Sequence, residues 1–378
     1  MKKILWVVLV SGLLIAIPAT LKADEGVVIT LGQITNIVSQ KVQDVEGTDV
    51  QETVQQLAVK ILEGSFKDQI VQVENDITPL KVGDRVNLAL SKDEQGNPVI
   101  NGIGFAGAYR LPTLGWLAAL FVLLVLVFGG WQGIRGLTSL VGGLALILFV
   151  LLPGLLHGQS PIGLSIGVSA LIIIVGSYIT HGFNRTTTAA VIGMIATVVV
   201  VGFLALYVVH AAHLSGNASE DSLYLTSDTS GQIDLVGLLL GGMLIGLLGV
   251  LYDIAIGQAI AVEELRRASH DMHPRRLFQR ALRIGREHIG ALVNTLAIAY
   301  VGVSLPLLLV FYTEHADIWQ SMNQEVFATE IVRILIGSIG LVIAVPITTA
   351  IAVAMLKDRI FQSSAIETVH QHANTGKT

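Results

Sequence analysis

Seven apolar stretches, each long enough to cross a bilayer, follow one another between Thr113 and Leu356. A hydrocarbon core about 30 Å thick needs about 17–25 apolar residues in a helix. Thr113–Gly130, Leu137–Leu156, Ile162–Ile179, Ala189–Val209, Leu235–Ile256, Ile289–Tyr312 and Ile331–Leu356 all qualify. The chain therefore reads as an α-helical polytopic membrane protein, with residues 111–356 as its seven-helix domain.

The loops give an orientation. Arg135 lies between the first and second stretch and Arg185 between the third and fourth. Arg266, Arg267, Arg275, Arg276, Arg280, Arg283 and Arg286 fall between the fifth and sixth, and Lys357, Arg359 and Lys377 follow the seventh. The remaining short loops carry no Lys or Arg, but do carry Glu220, Asp221 and Asp228 in one and Glu314, Asp317 and Glu325 in the other. Basic loops face the cytoplasm, so Pro112 is expected outside and the tail, residues 357–378, inside.

Residues 1–23 resemble a signal peptide or signal anchor: a basic Met1-Lys2-Lys3, an apolar Ile4 to Pro18, and a small Ala23 before Asp24. Either form exports residues 24–110. That segment shows strand alternation at Leu57, Val59 and Ile61, at Val71 and Val73, and at Val86, Leu88 and Leu90. Turn signals around Gly64, Asn75, Gly83 and Gly96-Asn97-Pro98 separate the runs. A small exported all-β domain of the oligonucleotide-binding barrel type is expected. Its cations are outnumbered by carboxylates and no aromatic lies between Phe66 and Phe105, so it lacks a stacking platform for nucleic acid. A protein partner suits it better, and the mild net charge of −5 points away from an anionic polymer.

Several polar residues sit where lipid is expected. Asp253 near the inner end of the fifth stretch, Asn294 in the sixth, Thr349 after Pro346 in the seventh and His181 closing the third all come to a similar depth. Ionisable groups in a bilayer are costly and usually face a cavity or a partner, which makes these four a candidate inner-leaflet site. The competing reading has Asp253 and His181 at the headgroups, with Asn294 and the threonines bonding between helices. Arg333 lies one turn from Glu330 and is expected to pair with it as an interfacial ion pair.

On the outer side His210 and His213 stand three residues apart, near His157, His315, Glu220 and Asp221. They are weak metal candidates, because no third ligand has a fixed spacing; no metal or cofactor is assigned. Residues 275–286 combine an apolar stripe with Arg275, Arg276, Arg280, Arg283 and Arg286, and are expected along the cytoplasmic headgroups in contact with anionic lipid.

Some segments carry a family likeness: Gly249 to Ile256 around Tyr252-Asp253, Ile284 to Tyr300 with Ser304-Leu-Pro306, the turn His181-Gly-Phe-Asn-Arg185, and Glu330-Ile-Val-Arg333 through Gly337, Gly340 and Pro346. Together they resemble the YibE/F-like family of bacterial multi-spanning membrane proteins. The resemblance implies this architecture and a bacterial cytoplasmic membrane, and marks Asp253, Asn294 and Arg333 as motif positions without giving them roles.

Two function classes compete. A transport- or export-associated permease would use the inner polar site and carry the β domain as a cap; a scaffold would anchor that domain for a partner. An intramembrane enzyme is disfavoured. Tyr252-Asp253 has no second Asp in a Gly-x-Gly-Asp setting, and no His-Glu-x-x-His occurs.

Overall fold

A computed structural model describes residues 27–44, 51–93, 97–229, 231, 233–269, 271–314 and 317–356. The expected signal segment, the C-terminal tail and His315 lie outside them. The chain forms two compact units, Met1–Gly130 and Trp131–Thr378.

The first unit holds five antiparallel strands: β1 (Val27–Asp44), β2 (Gln51–Ile61), β3 (Ile70–Asn75), β4 (Arg85–Lys92) and β5 (Pro98–Ala108), in the order β3-β2-β1-β4-β5. The long β1 is central because it pairs with β4 along Val27–Gln33 and with β2 along Gly32–Asp44, and register shifts between Ile34 and Asn36 and between Ile37 and Ser39 curve it. β3 and β5 remain edges, so the sheet is a half-barrel and its closure is incomplete. The alternation read from sequence lands inside: Leu57, Val59, Ile61, Val86 and Leu88 are fully buried around Ile34. A Cβ on Gly32 would stand 2.5 Å from the Val59 Cγ1, so that strand crossing has room only for glycine.

The second unit is helical, and its first helix begins in the first unit. α1 is Leu111–Leu146, followed by a π-helical turn Ile147–Leu151 and α2 (Leu152–Leu156). Next come α3 (Pro161–His181), α4 (Arg185–Ala211), α5 (Glu220–Asp228), α6 (Leu235–Ala268), α7 (Pro274–Val303), α8 (Leu305–Glu314), α9 (Ile318–Met322) and α10 (Glu325–Met355). Asn184 caps α4 by accepting from the Thr187 N–H at 2.7 Å, and Asp234 caps α6 from Gly237 at 3.0 Å. The π turn precedes Pro153, which has no N–H to donate and crowds the preceding turn.

Two boundaries differ from the seven-stretch expectation. Within α1, Gly130 at φ 51°, ψ −133° is not helical, so two helices meet there in a kink, at the residue where the first apolar stretch was expected to end; Arg135, expected in a loop, lies inside the second of them. A single Arg among Trp131, Gln132 and Ile134 does not stop a helix. The sixth stretch begins earlier and ends sooner. α7 carries the arginine-rich segment straight into the apolar part, then the chain bends by 65° before α8. Pro306 causes the bend, since its ring crowds the Gly302 carbonyl and it cannot donate. By length and composition, five described helices can cross a bilayer, or six with α7 and α8 taken as one.

α4, α6 and α10 form the centre, where Met194, Val201, Leu244, Leu247, Leu251 and Leu341 are buried. Small residues bring the helices close. A Cβ on Gly193 would lie 2.5 Å from the Thr348 Oγ1, and one on Gly340 would lie 2.9 Å from Leu247. Phe203, Ile192, Leu335 and Val342 are exposed on the outward faces, as expected of a bundle surrounded by lipid.

Candidate functional site

The four residues expected to build an inner site are not joined by any hydrogen bond or ion pair. Asp253 and Asn294 are exposed, with no side-chain partner among the described residues. His181 is half-buried, its ring centroid 6.3 Å from that of Tyr252. Thr349 is fully buried and bonds elsewhere: its hydroxyl donates to the Val345 carbonyl at 2.6 Å and accepts from the Gln258 amide at 2.8 Å. Gln258 also donates to the Ala281 carbonyl at 2.9 Å, linking α6, α7 and α10. Its Oε1 is buried without a partner, as is the Thr348 hydroxyl. In the sequence Gln258 is a polar exception in the apolar run from Ile254 to Val262. The available signal was its helical phase, one turn after the buried Ile254 and one turn before the buried Val262.

The histidines expected on the outer side do not form a common site. His210 turns its Nδ1 to the Leu206 carbonyl of its own helix at 2.8 Å, His157 turns to Pro153 at 2.6 Å, and His213 takes a positive φ of 51°. No three metal-ligating side chains converge among the described residues.

A different place concentrates polar chemistry. Where α7 bends into α8, a cavity of about 560 Å³ opens between α5, α6, α8 and α10. Leu235, Leu239, Leu307 and Val326 line it with apolar surface; Ser304, Thr329, Glu330 and Arg333 on one side and Ser219, Asp221 and Ser222 on the other supply its polar groups. The ion pair expected from sequence is present, with the Arg333 Nη1 2.6 Å from the Glu330 Oε1. Ser304, at the bend itself, donates to the other Glu330 oxygen at 3.2 Å. Both charged side chains are mostly covered, at 23% and 30% exposure, so the pair is not an ordinary surface contact. The Thr329 hydroxyl is buried with no partner.

The cavity's outer wall is tied down by Glu325 in the first turn of α10. Its carboxylate accepts from the Ser215 N–H at 2.6 Å, the Ser215 hydroxyl at 2.8 Å and the Gly216 N–H at 3.1 Å. Gly216 needs φ +75°, and a Cβ there would come within 2.4 Å of the Leu235 carbonyl oxygen, so two constraints demand glycine. A half-buried, mutually neutralised ion pair beside apolar walls can hold an amphipathic solute: the guanidinium keeps unused N–H donors, and the leucines accept the apolar part.

The sequence profile of YibE/F-like proteins matches residues 117–358. No curated protein and no solved structure gives a significant match.

Proposed function

The chain belongs to the YibE/F-like family, and on that premise we propose that it is a permease-like protein moving a small amphipathic solute across the bacterial cytoplasmic membrane. The observation that carries this reading is the broken helix at Ser304 opening onto the cavity with Glu330 and Arg333. Interrupted spans with polar groups at the break are a common way for membrane transporters to build a binding point. In this proposal the binding point lies at the bend, and the buried Gln258 and Thr349 act as packing that holds α6 and α10 together. The charge of the loops supports an arrangement with the β domain outside and residues 357–378 inside, which requires the runs on either side of Gly130 to cross separately. No catalytic step is part of the proposal. A membrane scaffold that presents the β domain to a protein partner is the second reading, favoured by the position of β3 and β5 as the two end strands of the sheet.

The native chain has no cysteine, so a single introduced thiol reports accessibility cleanly. A permease must expose its binding point to both sides in turn. Ser304→Cys should therefore react with a membrane-impermeant thiol reagent in right-side-out vesicles and also in inverted ones. Reaction from the outer side alone, with the protein shown to be folded, would sink the permease reading and leave the scaffold.

A further inference from the structure

Contacts between α7 and α10 set the depth of the arginine-rich segment. Ala281 sits beside Gln258 and Thr349, Gly285 faces Val345, Leu296 faces Gly337 and Ser304 reaches Glu330. The two helices are thus antiparallel and in register, and Arg275 to Arg286 run alongside the last turns of α10. α10 carries no charge from Ile334 to Leu356. Arginines therefore stand next to the uncharged, apolar end of a neighbouring helix.

On α7 itself Leu277 and Ala281 are buried against the bundle, which turns Arg275, Arg276, Arg280, Arg283 and Arg286 outward and leaves them exposed. None of these five guanidinium groups has an ion pair or hydrogen bond among the described residues. Asp271 and Glu287, the acids nearest in sequence, are exposed and do not pair with them. Between the start of α7 and the end of α10 lies a groove of about 530 Å³, where Arg275 stands with Phe278, Ala350, Val353 and Ala354.

We propose that this groove holds one anionic phospholipid, its phosphate on Arg275 and an acyl chain against Phe278, Ala350 and Val353. The occupant follows from complementarity. Unpaired cations beside an apolar helix end need an anion, and the apolar groove next to them needs a hydrocarbon; a phospholipid supplies both in one molecule. Small side chains at Ala350 and Ala354 leave the width that a chain requires. The inference is independent of the outer cavity and survives if the permease reading fails.

The test uses the full chain in detergent, with bound lipid counted by native mass spectrometry. Phosphatidylglycerol and phosphatidylcholine of identical acyl chains are offered at equal concentration, with inorganic phosphate as competitor. Phosphatidylglycerol should be preferred by about fivefold, the ratio expected for one guanidinium facing a net anionic headgroup rather than one whose choline offsets the phosphate charge. Arg275→Gln should abolish that preference, Arg283→Gln should keep it, and Val353→Trp should lower occupancy by both lipids. Three results would overturn the proposal: unchanged preference in Arg275→Gln, an equal loss in Arg283→Gln, which means diffuse attraction, or displacement by inorganic phosphate, which means a site for the free anion. Should Arg275→Gln fail to fold, unchanged occupancy in Val353→Trp refutes it alone.

Discussion

Gln258 and Thr349, 91 residues apart in the chain, share a 2.8 Å hydrogen bond in the fully buried centre of the bundle. Gly285 on α7 leaves the space for it, since a Cβ there would lie 2.5 Å from the Val345 Cγ1 and 2.8 Å from the Gln258 Oε1. We expect Gly285→Ala to destabilise the protein by about 1–3 kcal/mol, through overpacking of two helices that cannot both retreat. Gln258→Leu should cost less than about 2 kcal/mol, because bonds between membrane helices are individually weak and Thr349 keeps its own carbonyl partner. Thermal unfolding in a single detergent at one pH ranks the two. A native melting temperature for Gly285→Ala would refute the close approach.

Orientation can be read with two thiols. Gln324→Cys precedes α10 with no capping bond to lose, and Ser269→Cys follows α6. The charge asymmetry of the loops predicts that the first is labelled by an impermeant reagent in intact cells and the second only after lysis. The reverse pattern would invert the arrangement.

The half-barrel carries a titratable contact. Lys60 holds the Asp68 carboxylate at 2.8 Å, and this hydrogen bond, with the lysine's charge, keeps the Asp68 carboxyl below the ordinary carboxylate range. A depressed carboxyl pKa adds stability above the unfolded value of about 3.9 and loses it as pH falls through the folded value. Residues 24–110 expressed alone should give a strand-dominated circular dichroism spectrum, and Lys60→Gln should lower denaturant stability at pH 7 by a small, salt-sensitive amount. That difference should shrink towards zero between about pH 4 and pH 2. A gap that persists undiminished at low pH would assign it to the lysine's packing instead.

The residues themselves determine what depends on each segment taken alone. Apolar length marks the helical region, alternation at Leu57, Val59 and Ile61 places a strand face in the core, and Asn184 and Asp234 cap the helices that follow them. The spacing of Glu330 and Arg333 already implies their ion pair, because one turn of helix puts them side by side whatever surrounds them. Tertiary structure decided the rest. Asp253, Asn294 and Thr349 share a depth in the sequence, but depth says nothing about the direction in which a side chain points around its helix. Packing turned the first two outward and buried the third with Gln258. The antiparallel register of α7 on α10 likewise put arginines beside apolar turns, and the bend at Pro306 opened a cavity onto a pair that hydropathy had treated as interfacial. Hydropathy and charge are properties of one segment, whereas a site is a relation between segments, and that relation is fixed only when close contacts such as Gly285 on Val345 lock one helix against another.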